Sequence, residues 1–170
     1  MPVFTAGVAF ARTLASSMNL PLYEFSHQEG HIEAAKYYSK FKDTNKLVTF
    51  HFSGGTTECI LVDQENNNFE IIGGSKDLAY GQVLDRIGVS LGLSFPCGEQ
   101  LDEIALFASY KEKRLSKIKV NDCFVNLSGI ETQAQRLIGN VLADELISEV
   151  FDKISTSILE MTLQISEKYH

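Results

Sequence analysis

The feature that most constrains the fold is a pair of strand-like segments separated by two glycines. KLVTFHF at 46–52 and TECILVD at 57–63 are rich in the β-branched and aromatic residues that favour strands. SGGT at 53–56 predicts a tight hairpin, so the two strands are expected to pair antiparallel. FEII at 69–72 follows a turn at the three asparagines 66–68 and predicts a third strand of the same meander.

Helical periodicity dominates most of the remaining chain. Helices are predicted at 5–18, 30–41, 79–91, 99–110, 132–142 and 144–169, and further short strands at 22–25 and 124–127. Strands followed by helices in one unit indicate an α/β or α+β fold. The last helix carries a long apolar stripe that needs a surface to cover it. No run of about 18 uncharged apolar residues occurs, so a membrane span is not expected.

Composition limits the function classes. The formal net charge of −7 argues against a protein that binds nucleic acid by itself, because phosphate contacts need cations. The basic segment at 110–119 (YKEKRLSKIK) is the exception, and it is either a solvated helix end and connector or a patch that faces a nucleic acid. Three widely separated cysteines predict a reduced, cytoplasmic protein.

The segment HQEGH places two histidines four residues apart. His27 and His31 would lie on one face of a helix, where their rings can converge on a zinc or iron ion. Two histidines are fewer ligands than a stable site needs, and the alternative is a pair of polar residues at a helix start. The position of the zincin general base is Gln28, so metalloprotease chemistry of that kind is not supported.

Two further segments have both a functional and a structural interpretation. The glycines and hydroxyl groups of SGGTT at 53–57 can expose backbone N–H groups to a phosphate or carboxylate, or they can simply form the hairpin turn. Asp85, with FPCGE at 95–99 and Asp102 one turn later, can bind ribose hydroxyls and let a ligand approach Gly98, or can be structural.

Four motifs of this chain occur in the order known from one protein family. HQEGH resembles its HxEGH, FSGGTTE resembles its SGGHTQ, and VNLSGIETQAQRLI resembles its FSFSGLKTAxxRxI. GSKDLAYGQVLDRIGVSLGLSFPCG is similar to its GESxDDAAGEAFDKxAxLLGLxYPGG. The family is the tRNA threonylcarbamoyltransferase group, also labelled glycoprotease or O-sialoglycoprotein endopeptidase, and the resemblance runs from about residue 5 to 168.

The resemblance implies an α/β fold of the actin/Hsp70-like (ribonuclease H-like) type with two lobes. It implies metal-dependent transfer of a threonylcarbamoyl group from its adenylate to N6 of an adenosine next to the tRNA anticodon. The cofactor is one zinc or iron ion, and the partners are tRNA reached through a complex and a related actin-like subunit or a second copy. The implied metal ligands are His27 and His31; the implied substrate and nucleotide residues are Ser53, Gly54, Gly55, Thr56, Thr57, Asp85, Gly98 and Asp102. No catalytic residue is assigned.

The sequence also departs from the family motifs. Thr56 replaces the histidine of SGGHTQ, and Cys97 replaces the first glycine of PGG. Leu78 replaces the second acidic residue of DDAAGE, and Gln82 replaces its glutamate. The strands of the N-terminal lobe, the C-terminal nucleotide loop and the third metal ligand are not found, so residues 1–170 are expected to be one fragment of a two-lobed protein, inactive alone. The alternative is a non-catalytic relative acting as a protein-interaction module, for which the stripe of the last helix is the candidate surface. The peptidase label is a third, disfavoured interpretation.

Overall fold

A computed structural model describes residues 2–66 and 68–169, which form two compact units divided after Asp43. The first unit contains helices α1 (Pro2–Met18) and α2 (His27–Tyr37). The second unit contains strands β1 (Lys46–Phe52), β2 (Thr57–Asp63), β3 (Asn68–Ser75) and β4 (Phe124–Val125). Its helices are α3 (Tyr80–Ser90), α4 (Gly98–Leu106), α5 (Ser128–Leu137) and α6 (Ala143–Lys168).

The four described strands of the second unit form one sheet in the order β1-β2-β3-β4. The first three make the predicted antiparallel meander, with Phe52 opposite Thr57 across the hairpin. β4 joins in parallel, pairing Gly74 with Phe124. The predicted bounds of the first two strands are confirmed to the residue, and the α/β class is confirmed. The predicted asparagine turn is partly testable, because Asn67 lies outside the described residues.

Helix α6 covers the core of this unit with its apolar face. Ile147, Val150, Met161 and Ile165 are all buried, and each buried side chain of this size contributes about 1.5–3 kcal/mol to stability. The expectation that this stripe is an exposed interaction surface is therefore wrong, because the sheet and the other helices already cover it. The exposed large apolar residues of α6 itself are Leu159 and Leu163.

Helix α5 begins four residues before its predicted start and ends five residues before its predicted end. The carboxylate of Asp77 accepts the backbone N–H groups of Leu127 (2.7 Å) and Ser128 (3.0 Å), which satisfies donors that a helix start leaves unpaired. Burial opposes the ionisation of Asp77, but these bonds and one from Leu78 outweigh it and lower its pKa to about 2. At the other end the Leu137 carbonyl accepts the N–H of Asn140 in a turn.

The basic segment 110–119 is a connector, as the structural interpretation expected, but the helix before it ends at Leu106 and not at the predicted residue 110. The fully buried Glu149 accepts the N–H groups of Arg114 (2.8 Å) and Leu115 (2.9 Å), which fixes the segment on α6. The guanidinium of Arg114 pairs with Glu145 at 3.0 Å, and Lys117 pairs with Glu160 at 2.7 Å. Carboxylates of this chain therefore neutralise part of the basic patch.

The predicted strand at 22–25 is wrong. Leu22, Tyr23 and Phe25 are exposed and lie outside the described sheet, so their apolar character reflects no strand pairing. Within the first unit, Arg12 instead donates two hydrogen bonds to Glu24 in this connector. Among the described residues, every helix falls short of the length and apolar character that crossing a bilayer requires.

Candidate functional site

The two histidines of HQEGH occupy the first turns of α2. Ser26 caps this helix, because its hydroxyl accepts the N–H of Glu29 and the Glu29 carboxylate accepts the N–H of Ser26. Glu29 therefore stabilises the helix start, and the exposed rings of His27 and His31 meet with their Nε2 atoms 2.9 Å apart. Two imidazoles on one tetrahedral zinc ion need a separation of about 3.3 Å, so a few tenths of an ångström adapt the pair to a metal.

The donor set at this position is incomplete. Among the described residues, no group of three or more histidine, cysteine or acidic side chains comes close enough to hold a metal ion. A structural or catalytic zinc site needs three or four protein ligands. His27 and His31 therefore fit two ligand positions, and the described residues do not complete the site.

The SGGT hairpin is closed by its own serine. The Ser53 hydroxyl accepts the N–H groups of Gly55 (3.2 Å) and Thr56 (3.0 Å), and the Ser53 N–H donates to the Thr56 carbonyl. The prediction that these N–H groups stand uncovered by side chains is wrong for Gly55 and Thr56. The serine oxygen occupies the place of an anion oxygen, and a ligand reaches those donors only when the hydroxyl rotates away.

The hairpin is joined closely to the start of α3. The buried Thr57 accepts the N–H of Tyr80 on its hydroxyl at 3.0 Å, so this hydroxyl serves the fold in the structure. A Cβ added at Gly81 would lie 2.6 Å from Gly54 Cα and 2.7 Å from the Ser53 carbonyl oxygen. Only a glycine permits such an approach of a helix to a turn.

A cavity of about 590 Å³ opens between the hairpin, α3 and α5. Its lining residues are Gly54, Gln82, Asp85, Arg86, Val89, Ser90, Phe95, Glu131 and Gln135. The volume lies within the range of small-molecule sites, and Val89 and Phe95 give it apolar surface beside the polar groups. The structure thus brings together Gly54 and Asp85, two of the predicted nucleotide residues.

Helix α4 carries the remaining predicted nucleotide residues, Gly98 and Asp102. Asp85 accepts the N–H of Cys97 at 2.8 Å and so positions the loop that leads into Gly98 and α4. Asp102 is exposed on α4, and neither it nor Gly98 is among the cavity-lining residues. Burial, and then the charge of Asp85, raise the pKa of the Cys97 thiol, so this buried group stays protonated and unreactive at neutral pH.

Comparison with known proteins gives the relationship of the chain. The family model for tRNA N6-adenosine threonylcarbamoyltransferase matches residues 4–169. The chain belongs to this family. Proteins of that name from Ligilactobacillus salivarius and Listeria welshimeri are 38% and 42% identical to it over 99 residues. Each of these alignments covers 58% of this chain and 28% of the relative, so the chain spans well under two thirds of the relatives' length.

Family membership identifies the fold more closely. The mixed sheet with its helices is a partial actin/Hsp70-like fold, as the motifs predicted. Three of the four departures from the family motifs have a packing role in this chain. Leu78 packs against the core, Gln82 accepts the Ala79 N–H at 3.0 Å at the start of α3, and the buried Cys97 contacts Gly88.

Sequence reasoning missed three polar residues of the cavity wall. Arg86, Glu131 and Gln135 were not singled out, although Glu131 and Gln135 lie four apart and therefore on one face of α5. The polar spacing of that helix was a usable signal. What the sequence did not show is the position of α5 alongside α3, which the distant Asp77 determines.

Proposed function

We propose that this chain supplies the nucleoside-binding part of a protein that modifies tRNA by threonylcarbamoyl transfer. In this proposal the group passes from its adenylate to N6 of an adenosine next to the anticodon. The observation that carries it is the cavity in which Gly54 of the hairpin and Asp85 of α3 face the same space, in a chain of this family. The chain without the rest of such a protein is expected to be inactive.

The residues of the chain have distinct parts in this proposal. Asp85 accepts hydrogen bonds from the ribose hydroxyls, while the turn from Ser53 to Thr56 holds the acyl-phosphate portion after the Ser53 hydroxyl rotates. His27 and His31 hold a zinc or iron ion together with ligands from elsewhere. When bound, the ion supplies positive charge that neutralises the phosphate and polarises the carbonyl group.

Calorimetry with adenosine and AMP tests the nucleoside site. Asp85→Asn keeps an acceptor for the Cys97 N–H but removes the charged acceptor, so both ligands should bind about ten- to a hundredfold more weakly. Asp43→Asn is the matched control, because Asp43 is exposed in the other unit and should leave both affinities unchanged. Absence of adenosine and AMP binding to the unaltered chain would refute the proposal.

The metal proposal has its own test. Zn²⁺ or Fe²⁺ titrated into the metal-free chain should bind more weakly after His27→Ala/His31→Ala, because the pair presents two nitrogen donors to one ion. Equal binding by the unaltered chain and the double variant would show that these rings do not hold the ion.

The partners and the location belong to the same proposal. We assign tRNA and a related actin-like subunit or a second copy as partners, in the cytoplasm, where the free thiols of Cys59, Cys97 and Cys123 stay reduced.

The basic segment is the candidate contact with tRNA. Its lysines for which no salt bridge is found in the described structure are Lys111, Lys113 and Lys119. Charge reversal at these three positions in the complex should weaken tRNA binding and reduce its salt dependence; unchanged affinity would dismiss the contact.

A non-catalytic interaction module is the second candidate. It is favoured by the packing roles of Leu78, Gln82 and Cys97, which show that these departures from the motifs are built into a well-packed fold. Leu159 and Leu163 are the exposed apolar positions of α6 available to a partner. Light scattering decides this alternative: a strict monomer that captures neither its actin-like relative nor a second copy would count against it.

A further inference from the structure

A smaller cavity, of about 270 Å³, lies between α5 and the connector that precedes β4. Gln133 lines it from α5, whereas Glu131 and Gln135 line the larger cavity. Two positions along a helix correspond to about 200° of rotation, so Gln133 lies on the opposite face of α5 from the other two. The two cavities share no lining residue, and the smaller one suits a small polar molecule.

The polar side chains that line the smaller cavity can donate hydrogen bonds, and none of them is a carboxylate. They are those of Ser116, Lys117, Lys119, Asn121, Asn126 and Gln133. The Gln133 Oε1 atom accepts the Ser116 N–H at 2.9 Å, so its amide nitrogen is the atom left for a ligand. In a chain with 22 acidic and 15 basic residues, a wall with two lysines and no acidic side chain is a local excess of positive charge.

The carboxylates that adjoin this wall already have partners. Lys117 pairs with Glu160 at 2.7 Å, and Asp122, next in sequence to the wall, pairs with Lys168 at 2.6 Å. Asp77 binds the N–H groups at the start of α5, so the dipole of that helix is already compensated. The positive charge available to a ligand therefore comes from the lysine side chains.

Several donors of the wall remain unused and come from separate segments. Within the described part of the chain, the side chains of Lys119, Asn121 and Asn126 make no hydrogen bond or ion pair. Lys119 and Asn121 precede β4, Asn126 follows it, and Gln133 lies on α5. A group with several acceptor oxygens can bind donors from all these segments at once, and a phosphate ester has three such oxygens.

Backbone hydrogen bonds hold the wall in place. Gln164 of α6 accepts the Cys123 N–H at 2.9 Å and donates to the Val120 carbonyl at 3.1 Å. Asn121 and Phe124 exchange backbone hydrogen bonds of 2.8 and 3.0 Å, which closes the turn between them. The backbone that carries the donors is therefore fixed before a ligand arrives, which lowers the entropic cost of binding.

We propose that the smaller cavity binds a phosphate group, with Lys119 supplying the charge and the Gln133 and Asn126 amides supplying hydrogen bonds. The proposal goes beyond the nucleoside site and does not depend on it. Two sources present this group: a free or terminal phosphate of a small molecule, and a phosphodiester of a nucleic-acid backbone.

Calorimetry on the unaltered chain at low ionic strength tests the site with inorganic phosphate, ribose 5-phosphate and dimethyl phosphate. The first two should bind at least about fivefold tighter than the third, because they approach two negative charges and dimethyl phosphate carries one. Dimethyl phosphate binding as tightly as inorganic phosphate would instead assign the site to phosphodiesters. Absence of binding by all three would overturn the proposal.

Lys119→Gln should weaken the binding of inorganic phosphate about five- to tenfold, because it removes a charged donor. Lys111→Gln is the matched control, since Lys111 is also exposed, lies outside the cavity and gives the same change in net charge. It should change the affinity less than about twofold. Equal losses in the two variants would show a response to net charge alone and would overturn the proposal.

Gln133→Glu places a negative charge in the wall while keeping an acceptor for the Ser116 N–H. It should weaken phosphate binding at least about tenfold by repulsion. Thr132→Glu adds the same charge at an exposed position of α5 outside the cavity and should weaken binding less than about threefold. Equal effects of the two glutamates, in variants whose circular dichroism shows them folded, would refute the placement of phosphate in this cavity.

Discussion

Gly88 and Cys97 are the pair whose packing gives the sharpest stability prediction. A Cβ added at Gly88 would lie 2.4 Å from Cys97 Cβ and 2.7 Å from its Sγ, far inside the 3.5–4.0 Å at which carbon atoms attract. Cys97 cannot withdraw easily, because its N–H is held by Asp85 at 2.8 Å and its side chain is fully buried. Gly88→Ala therefore overpacks the contact between α3 and the loop before α4.

The magnitude follows from two opposing effects. Overpacking of a buried contact costs about 1–3 kcal/mol, while replacing glycine with alanine inside a helix returns about 1 kcal/mol. Gly88→Ala should therefore lower the free energy of unfolding by up to about 2 kcal/mol. In a Cys97→Gly background the clash is gone, so the same change should be neutral or stabilising, which makes the coupling energy of the pair about 2 kcal/mol.

The assay is urea unfolding followed by far-ultraviolet circular dichroism at 25 °C for the four members of the cycle. Gly129→Ala serves as the matched control, because a Cβ added at Gly129 meets nothing within 4 Å. It should leave stability unchanged or raise it slightly. Additive effects of Gly88→Ala and Cys97→Gly would refute the reasoning, since they would show that the two side chains do not compete for the same space.

Three further predictions concern contacts that organise the second unit. Asp77→Asn should lower stability at pH 7 and much less at pH 2. Because the folded pKa of Asp77 is depressed to about 2, its stabilisation is present above about pH 4 and is lost as the pH falls through about 2. Acid titrations of both proteins would show the difference. Glu149→Ala should cost about 3–5 kcal/mol in urea unfolding, since it removes the buried acceptor of two backbone N–H groups and one of the two carboxylates that pair with the mostly buried Lys153. Gly81→Ala should cost about 1–3 kcal/mol, because the added Cβ meets the hairpin backbone at 2.6 Å, and thermal melting by circular dichroism against Gly129→Ala would detect it.

The local parts of the fold were predictable because the interactions that form them are near in sequence. The hairpin at 46–63 follows from two strand segments and two glycines, and the bounds of both strands were predicted to the residue. The prediction of α2 at 30–41 was wrong at both ends, because the local pair of Ser26 and Glu29 starts the helix at His27 and it ends at Tyr37. The spacing of His27 and His31 predicted that the rings meet, and their nitrogen atoms do.

The sequence-based predictions are wrong where a side chain that is distant in sequence determines the backbone conformation. Asp77 starts α5, and Glu149 draws the segment after α4 away from a helical path. Neither partner is visible from periodicity, because both lie at least 34 residues from the backbone they bind. The same reason explains why Glu131 and Gln135 were missed as cavity residues.

Two contacts join α3 to α5 at nearly equal distances along the sequence. Asp77 binds the N–H groups 50 and 51 residues later, and Gln135 binds the Arg86 carbonyl 49 residues earlier. These contacts determine where the chain tolerates changes in length. Both contacts, at Asp77 and at Gln135, span the exposed turn at Phe107, so residues inserted there would lengthen the two offsets equally and leave the helices in register. One residue inserted between Ser128 and Gln135 would instead rotate the rest of α5 by about 100° and carry Gln135 off the cavity. Among proteins of this type, length variation should therefore collect in the connector after α4 and be absent from the two helices that enclose the cavity.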